Sequence, residues 1–151
     1  MATFKEIKEL LDKKNIDYEI IELGGKAFTV LDVVNSGKAT KEEIVKTLLV
    51  KTEKGFVAIC CRGEDKVDFR KIEEKFGKAR LARPVEVEEV VGVEVGAVCP
   101  IKIGIPILLD TKVLKNVKVN LGSGDHLKGI DLTLDNFLKS IENYEITNIT
   151  I

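Results

Sequence analysis

Tryptophan is absent from this chain of 151 residues, and histidine and methionine occur once each, as His126 and Met1. With only six Phe and two Tyr besides, the sequence has little from which to build a stacking platform for single-stranded bases. A lone histidine, with no C-x-x-C or H-x-x-x-H spacing, argues against a zinc site, and no metal is expected. Long apolar runs are also missing. The longest, around Ile44-Val45 and Thr47–Val50, fall far short of the ~20 residues that cross a bilayer, and no signal-type apolar region follows Met1. The chain therefore reads as soluble, cytoplasmic and without a membrane partner. Three cysteines cannot all pair with one another, and Cys60 and Cys61 are adjacent, so they read as reduced, small buried hydrophobes.

No excess of one charge is present either: 24 Lys and Arg stand against 25 Asp and Glu, a net charge of −1. No whole-molecule field draws the protein to nucleic acid, so any polyanion contact must be local. Two segments depart from the balance. Residues 62–83 hold eight basic and five acidic groups, net +3, and residues 129–151 hold one basic and four acidic groups, net −3. The basic segment reads either as a solvated face with internal ion pairs or as a footprint for phosphates. At 16.7 kDa and 44% hydrophobic residues, the chain is expected to form a single domain over 1–151 with a core that needs no staples.

Hydrophobic period changes often along the chain. Thr3 and Glu6 form a capping-box pair ahead of Phe4, Ile7, Leu10 and Leu11, which predicts a helix over 4–14. A strand is expected at 17–23, a short helix capped by Thr29 at 29–35, and another short helix opening at Thr40–Glu43. Thr47–Val50 and Phe56–Cys61 flank a Lys54-Gly55 turn and predict a hairpin. A helix from Asp68 to Gly77, a strand at 80–82 and a helix at 85–91 closed by Gly92 follow. Strands at 103–110, 117–121 and 129–133, a helix at 134–141 and a last strand at 144–151 complete the pattern. Successive strands with few full crossover helices predict an α+β fold, a curved mixed sheet with peripheral helices, rather than a doubly wound nucleotide fold.

No phosphate-loop, dinucleotide-binding or G-x-S-x-G motif occurs, and one histidine without a placed nucleophile makes a triad unattractive. Three local features remain. Lys46 interrupts the apolar run from Ile44 to Val50; it either meets an anion from a strand face shared with Leu48 and Val50, or pairs with Glu42 on a continuing helix. In Gly92–Pro100, Gly96 permits positive φ or a close approach, and Pro100 fixes the chain beyond Cys99. That loop either presents N–H groups to an oxyanion or is ordinary turn punctuation. Gly122-Ser123-Gly124-Asp125-His126 reads first as a bare hairpin connection.

Taken in order, these features resemble the YbaK/ProX family, the editing domains of the kind inserted in prolyl-tRNA synthetase. The resemblance runs over residues 4–145: the Phe28-Thr29 segment, Val45-Lys46-Thr47-Leu48 against the family's K-T-L, Asp68 with its helix, Gly96-x-x-x-Pro100 against its G-x-x-x-P loop, and Ser123-Gly124 with Gly129-Ile130-Asp131-Leu132. Joint order and spacing select the functional alternatives for Lys46 and the Gly96 loop. Three departures touch the site. Cys99 stands where Ser or Thr often precedes the loop proline, Lys102 replaces a glycine two residues after it, and the loop at 123–126 is one residue longer.

The resemblance implies a partly closed barrel of the YbaK type, and hydrolysis of the ester between an amino acid and the terminal adenosine of mischarged tRNA, with no cofactor. Alanine or cysteine on tRNA for proline is the implied substrate. Partners would be the aminoacyl-tRNA acceptor end, contacted through segment 62–83, Lys102 and Lys128, with an aminoacyl-tRNA synthetase as an optional second partner. Lys46 and the Gly96, Ala97 and Val98 amides would carry the catalysis, and Phe28, Thr29, Cys99, Pro100, Ser123, Gly124, His126 and Asp131 would bind substrate. Two other classes stay open: a binding or regulatory module that holds an aminoacyl end or nucleotide, and a hydrolase of another small acyl ester or thioester. Retention of both Lys46 and the Gly96 loop favours turnover.

Overall fold

The structure, a computed structural model, describes residues 3–151. Its central feature is the hairpin of β2 (Val45–Thr52) and β3 (Gly55–Arg62), paired antiparallel from Val45↔Arg62 to Thr52↔Gly55. Alternation sends Val45, Leu49, Ala58 and Cys60 into a larger core, and Val50, Val57 and Ile59 into a smaller one on the opposite face. That double burial explains why β3 is apolar almost throughout: both faces are covered.

The other elements follow from this hairpin. Helix α1 (Phe4–Lys13), capped by Thr3, buries Ile7 and Leu11 in the larger core, while α3 (Phe69–Phe76), capped by Asp68, drives Ile72 into the smaller one. Strands β4 (Ala79–Leu81), β5 (Ile107–Asp110) and β8 (Tyr144–Thr147) complete a five-stranded mixed sheet ordered β4-β2-β3-β5-β8. Strands β1 (Glu19–Glu22), β6 (Lys118–Gly122) and β7 (Lys128–Thr133) form a second, antiparallel sheet ordered β1-β7-β6. A single bridge, Ile44↔Asn120, links the two sheets. Short helices α2 (Val30–Asn35), α4 (Pro84–Val91) and α5 (Leu134–Ser140) lie at the periphery. The fold is the expected mixed α+β arrangement with peripheral helices, its strands divided between two sheets that do not close.

Three local expectations differ. Thr40–Glu43 makes one turn, Glu43 N–H donating to Thr40 O at 3.2 Å, and no helix. The carbonyls that a helix would use are taken elsewhere: Glu42 O accepts from Asn116 Nδ2 and Glu43 O from Asn120 N–H, both at 2.8 Å. The strand expected from Ile103 begins only at Ile107, because Lys102 (φ 62°) and Gly104 (φ 79°) take left-handed conformations. Lys102 thus occupies a position where the family's glycine carries no steric cost. The last strand ends at Thr147, beyond which the chain is held by the buried Asp110, whose carboxylate accepts from Ile149 N–H (3.0 Å) and Thr150 Oγ1 (3.1 Å).

Half of the basic segment is committed within the protein. Lys71 Nζ donates to Asn148 Oδ1 and Thr150 O, and Lys75 pairs with Glu145 at 2.7 Å. Arg80 grips the buried Glu86 through two bonds of 2.8 and 3.0 Å, while Arg83 adds its backbone N–H at 2.9 Å and its Nε at 3.3 Å. Four of the eight cations of segment 62–83 are thus engaged within the protein, whereas among the described residues the side chains of Arg62, Lys66, Arg70 and Lys78 have no such partner; Lys102 reaches Glu6 at 3.4 Å.

The Arg80 guanidinium, followed by the Arg83 amide, holds the Glu86 carboxyl well below the ordinary carboxylate range. A carboxyl depressed in the folded state stabilises the fold above its unfolded pKa, about 4.3, and loses that contribution as pH falls below it. Glu86→Gln is therefore expected to lower the melting temperature at pH 7, with the gap to the parent protein narrowing at pH 3. Thermal unfolding at the two pH values checks this; a gap equal at both would mean that the charge of Glu86 is not what stabilises.

Candidate functional site

Strand β4 pairs with β2 only over Val50–Thr52, and Ala82 N–H adds one further bond to Leu49 O. From Val45 to Leu49 no strand covers the outer edge of β2. A cavity of about 210 Å³ opens there, below the ~300–1,000 Å³ of sites for drug-sized ligands and suited to a small fragment of a substrate. It is walled by the 27–30 segment, Val45–Leu49, the β4–α4 junction, Val95–Val98, the end of β6 and the start of β7. Most of the wall is apolar. The exceptions include Thr29, Lys46, Thr47, Asn120, Asp125, His126 and Lys128.

Lys46 lies in β2 opposite Cys61, so the helical pairing with Glu42 does not occur. Its ammonium, half-buried, donates to Gly63 O at 3.3 Å. One such bond leaves donor capacity for a ligand. Gly63 is also what admits α2 here, since a Cβ on it would lie 2.8 Å from Val30 Cγ1.

The Gly96 loop is held by close backbone approaches on both sides. At Gly96 (φ 93°) a Cβ would collide with the Phe28 carbonyl oxygen and lie 2.8 Å from its carbon. Ala97 and Val98 rest on the β6–β7 hairpin, where a Cβ on Gly122 would sit 2.7 Å from Val98 O and where Gly124 N–H donates to Ala97 O at 2.7 Å. The Ala97 amide is used inside the loop, donating to Glu94 O at 3.2 Å. Among the described residues Gly96 and Val98 N–H have no such partner, so two of the three anticipated amides are free.

Phe28 and His126 form one wall, with ring centroids 4.1 Å apart and tilted by 38°. His126 Nδ1 lies 2.8 Å from Ala27 O, which fixes the proton on Nδ1, because a carbonyl oxygen only accepts. Nε2 is 3.2 Å from Glu94 Oε2, outside hydrogen-bonding geometry. Thr29 caps α2 by accepting from Asp32 N–H, and Asp32 returns bonds to Phe28 and Thr29 N–H, which pins the segment carrying Phe28.

The structure thus brings Lys46, Gly96, Ala97, Val98, Phe28, Thr29 and His126 to one cavity. Cys99, Pro100, Ser123, Gly124 and Asp131 are not in its wall. Cys99, 3% exposed, is buried in the larger core. Ser123 Oγ is spent on Asp125 O and Lys128 O, closing the hairpin turn. Asp131, one layer behind, accepts from Asn120 Nδ2 at 2.7 Å. Sequence reasoning missed Asn120, although a buried asparagine between Val119 and Leu121 in a strand, where asparagine is depleted, was a usable signal. It also missed Val95 and Leu81, whose approach to the cavity depends on tertiary packing. Among the described residues no cluster of His, Cys, Asp and Glu is arranged to hold a metal ion, and no helix is long and apolar enough to cross a membrane.

The candidate site is thus an edge-open sheet with a lysine, two free loop amides and a small, largely apolar cavity. Residues 25–139 match the aminoacyl-tRNA editing domain, and the chain belongs to that family. It is 33% identical over 124 residues to the proline–tRNA ligase of Kosmotoga olearia, covering 78% of this chain and 21% of the ligase. To the proline–tRNA ligase of Halalkalibacterium halodurans it is 28% identical over 131 residues, 85% of this chain and 23% of that one. The chain thus spans about a fifth of the length of these relatives. Among solved structures it is similar to a candidate trans-editing enzyme for prolyl tRNA synthetase, at a TM-score of 0.85 and 22% identity over 100% of this chain and 98% of that one. It is also similar to a scaffold used for grafting linear epitopes, at a TM-score of 0.84 and 18% identity over 100% and 98% of the two chains. At these identities the two structures share the fold.

All three thiols are buried, at 0, 0 and 3% exposure for Cys60, Cys61 and Cys99. Burial pushes Cys60 and Cys99 up to about 12 and Cys61 up to about 11. None is a thiolate at neutral pH, so none is a ready nucleophile. Native protein is expected to resist Ellman's reagent and to release three equivalents only when unfolded; rapid titration of a thiol under native conditions would contradict this placement.

Proposed function

We propose that this protein is an aminoacyl-tRNA deacylase that acts in trans, as a single domain, on tRNA for proline carrying alanine or cysteine. The observation that carries the reading is the meeting of Lys46 with the free amides of Gly96 and Val98 at one small cavity, in a chain of the editing-domain family. Cytoplasmic residence and contact with the aminoacyl-tRNA acceptor end follow from that activity, with a prolyl-tRNA synthetase as a second partner.

An aminoacyl ester is already activated, so its hydrolysis needs positioning and oxyanion stabilisation more than a strong base. Lys46 supplies positive charge to the ester carbonyl or the terminal phosphate, and the Gly96 and Val98 amides receive the oxyanion or orient the attacking group. The three thiols are buried and protonated, and we assign proton transfer to the ribose hydroxyl beside the ester, which takes a proton from the attacking water as it gives its own to the departing ribose oxygen. Phe28 and His126 close the wall against the acyl group, and Thr29 keeps Phe28 in place. Asp131, Ser123, Gly124, Cys99 and Pro100 act from behind the wall, by holding Asn120, the hairpin and the loop.

Lys46→Ala is expected to leave the fold intact and to lower deacylation of alanyl-tRNA by ~100-fold or more, the scale of one oriented charge in a partly desolvated site. Arginine should not rescue it, because a planar fork cannot take the place of a compact ammonium. Undiminished turnover in a folded variant would remove Lys46 from the mechanism.

The cavity's size predicts its selectivity. A hydrophobic pocket separates ligands differing by one methylene by only ~1–3 kcal/mol, whereas exclusion of a larger ring discriminates more steeply. Deacylation rates over a panel of charged tRNAs are expected to be highest for alanyl and cysteinyl esters and low for prolyl and bulkier ones. Comparable rates across the panel would indicate a general hydrolase of small acyl esters.

A further inference from the structure

We infer that Asn120 reads the α-amine of the aminoacyl ester; the inference rests on the deacylase reading above. Asn120 is 3% exposed, sits where the two sheets meet and borders the cavity, with its backbone N–H anchored on Glu43 O at 2.8 Å. Its Nδ2 donates to Asp131 Oδ1 at 2.7 Å. The other carboxylate oxygen of Asp131 lies 3.3 Å from Lys118 Nζ, an ion pair in which the carboxylate accepts on both oxygens. The amide orientation is thereby fixed, with nitrogen toward Asp131 and oxygen left over. Among the described residues Oδ1 has no donor. Gly129 keeps the space open, since a Cβ there would lie 3.2 Å from Asn120 Nδ2.

An amide oxygen without a protein donor, on a residue at the wall of a largely apolar cavity, is open to a donor from a ligand, and the charge of Asp131 behind the amide strengthens the acceptor. The aminoacyl ester brings one donor beside its carbonyl, the α-ammonium. Lys46 and Lys128 border the same cavity and would repel an ammonium held nowhere in particular. Asp125, the other acidic neighbour, has Oδ1 engaged by Leu127 N–H at 2.8 Å and Oδ2 at 3.9 Å from Lys128. Asn120 is therefore the acceptor that lets a cationic substrate sit beside a catalytic lysine, and it separates aminoacyl esters from plain acyl esters.

The test compares deacylation of alanyl-tRNA with that of propionyl-tRNA, the same ester without the amine, each rate divided by its spontaneous hydrolysis rate. The parent protein is expected to favour the alanyl ester by ~100-fold or more, as sites built to bind a donor reject the analogue that lacks it. Asn120→Leu should erase that preference by slowing the alanyl reaction while the propionyl reaction changes by less than about threefold, a substrate-by-variant coupling that simple destabilisation does not produce. Gly129→Ala, which crowds the amide without removing it, should reduce the preference in the same direction and serves if Asn120→Leu does not fold. Equal normalised rates for the two esters in the parent protein would overturn the assignment and leave the deacylase reading standing. Acceleration of neither ester would overturn both. Loss of the preference in Asp125→Asn, with its retention in Asn120→Leu or Gly129→Ala, would assign the amine to Asp125 instead.

Discussion

Strand β4 pairs with three residues of β2 and then leaves the sheet, and the candidate site occupies the edge left bare. What turns the chain away is local. Pro84 has no N–H to continue a ladder and its fixed φ suits the first turn of a helix. Glu86 then gathers Arg80 from the end of β4, the Arg83 amide and the Arg83 side chain onto one buried carboxylate. That clamp sets the angle between β4 and α4, and Leu81, Ala82 and Val87, which flank it, form one side of the cavity. An ion pair is weak evidence for stability in general, but one that fixes a turn has a geometric consequence.

The opposite side is built from backbone meeting backbone. The Gly96 loop lies between the carbonyl of Phe28 and the glycines of the β6–β7 hairpin, at separations that leave no room for a Cβ at Gly96 or Gly122. Close packing of peptide units confers rigidity without side-chain rotamers to order, and a pre-organised pair of amides costs little reorganisation when charge develops on a bound ester. Lys46 on one wall and these amides on another face a space of about 210 Å³.

Electrostatics are local throughout. Part of the positive charge of segment 62–83 is taken up by Glu86 and Glu145, and the cations that border the cavity are Lys46 and Lys128, which act at short range rather than through a whole-molecule field. Such a domain is suited to an acceptor end delivered by other contacts, more than to capture of nucleic acid by charge.

The elements themselves were legible in the sequence wherever a local rule was strong. Thr29 and Asp68 cap helices, Gly77 and Gly92 end them, and the Lys54-Gly55 turn closes the hairpin, because capping and turn chemistry involve residues only a few positions apart. Lys46 and the Gly96 loop were visible as breaks in an apolar pattern, and the family resemblance gave them a purpose. The local rules failed where distant chains compete for the same backbone groups. Thr40–Glu43 carries helix-opening residues, yet its carbonyls are claimed by Asn116 and Asn120, more than seventy residues away. Cys99 and Asp131 belong to motifs of the site, yet the first is packed into the larger core and pairing across β6 puts the other behind Asn120. By itself the sequence determined the helices, the hairpin and the lysine. Which side chains share the cavity was decided by the early end of β4 and by the meeting of two sheets at Ile44 and Asn120, contacts between residues far apart in the chain that no local pattern encodes.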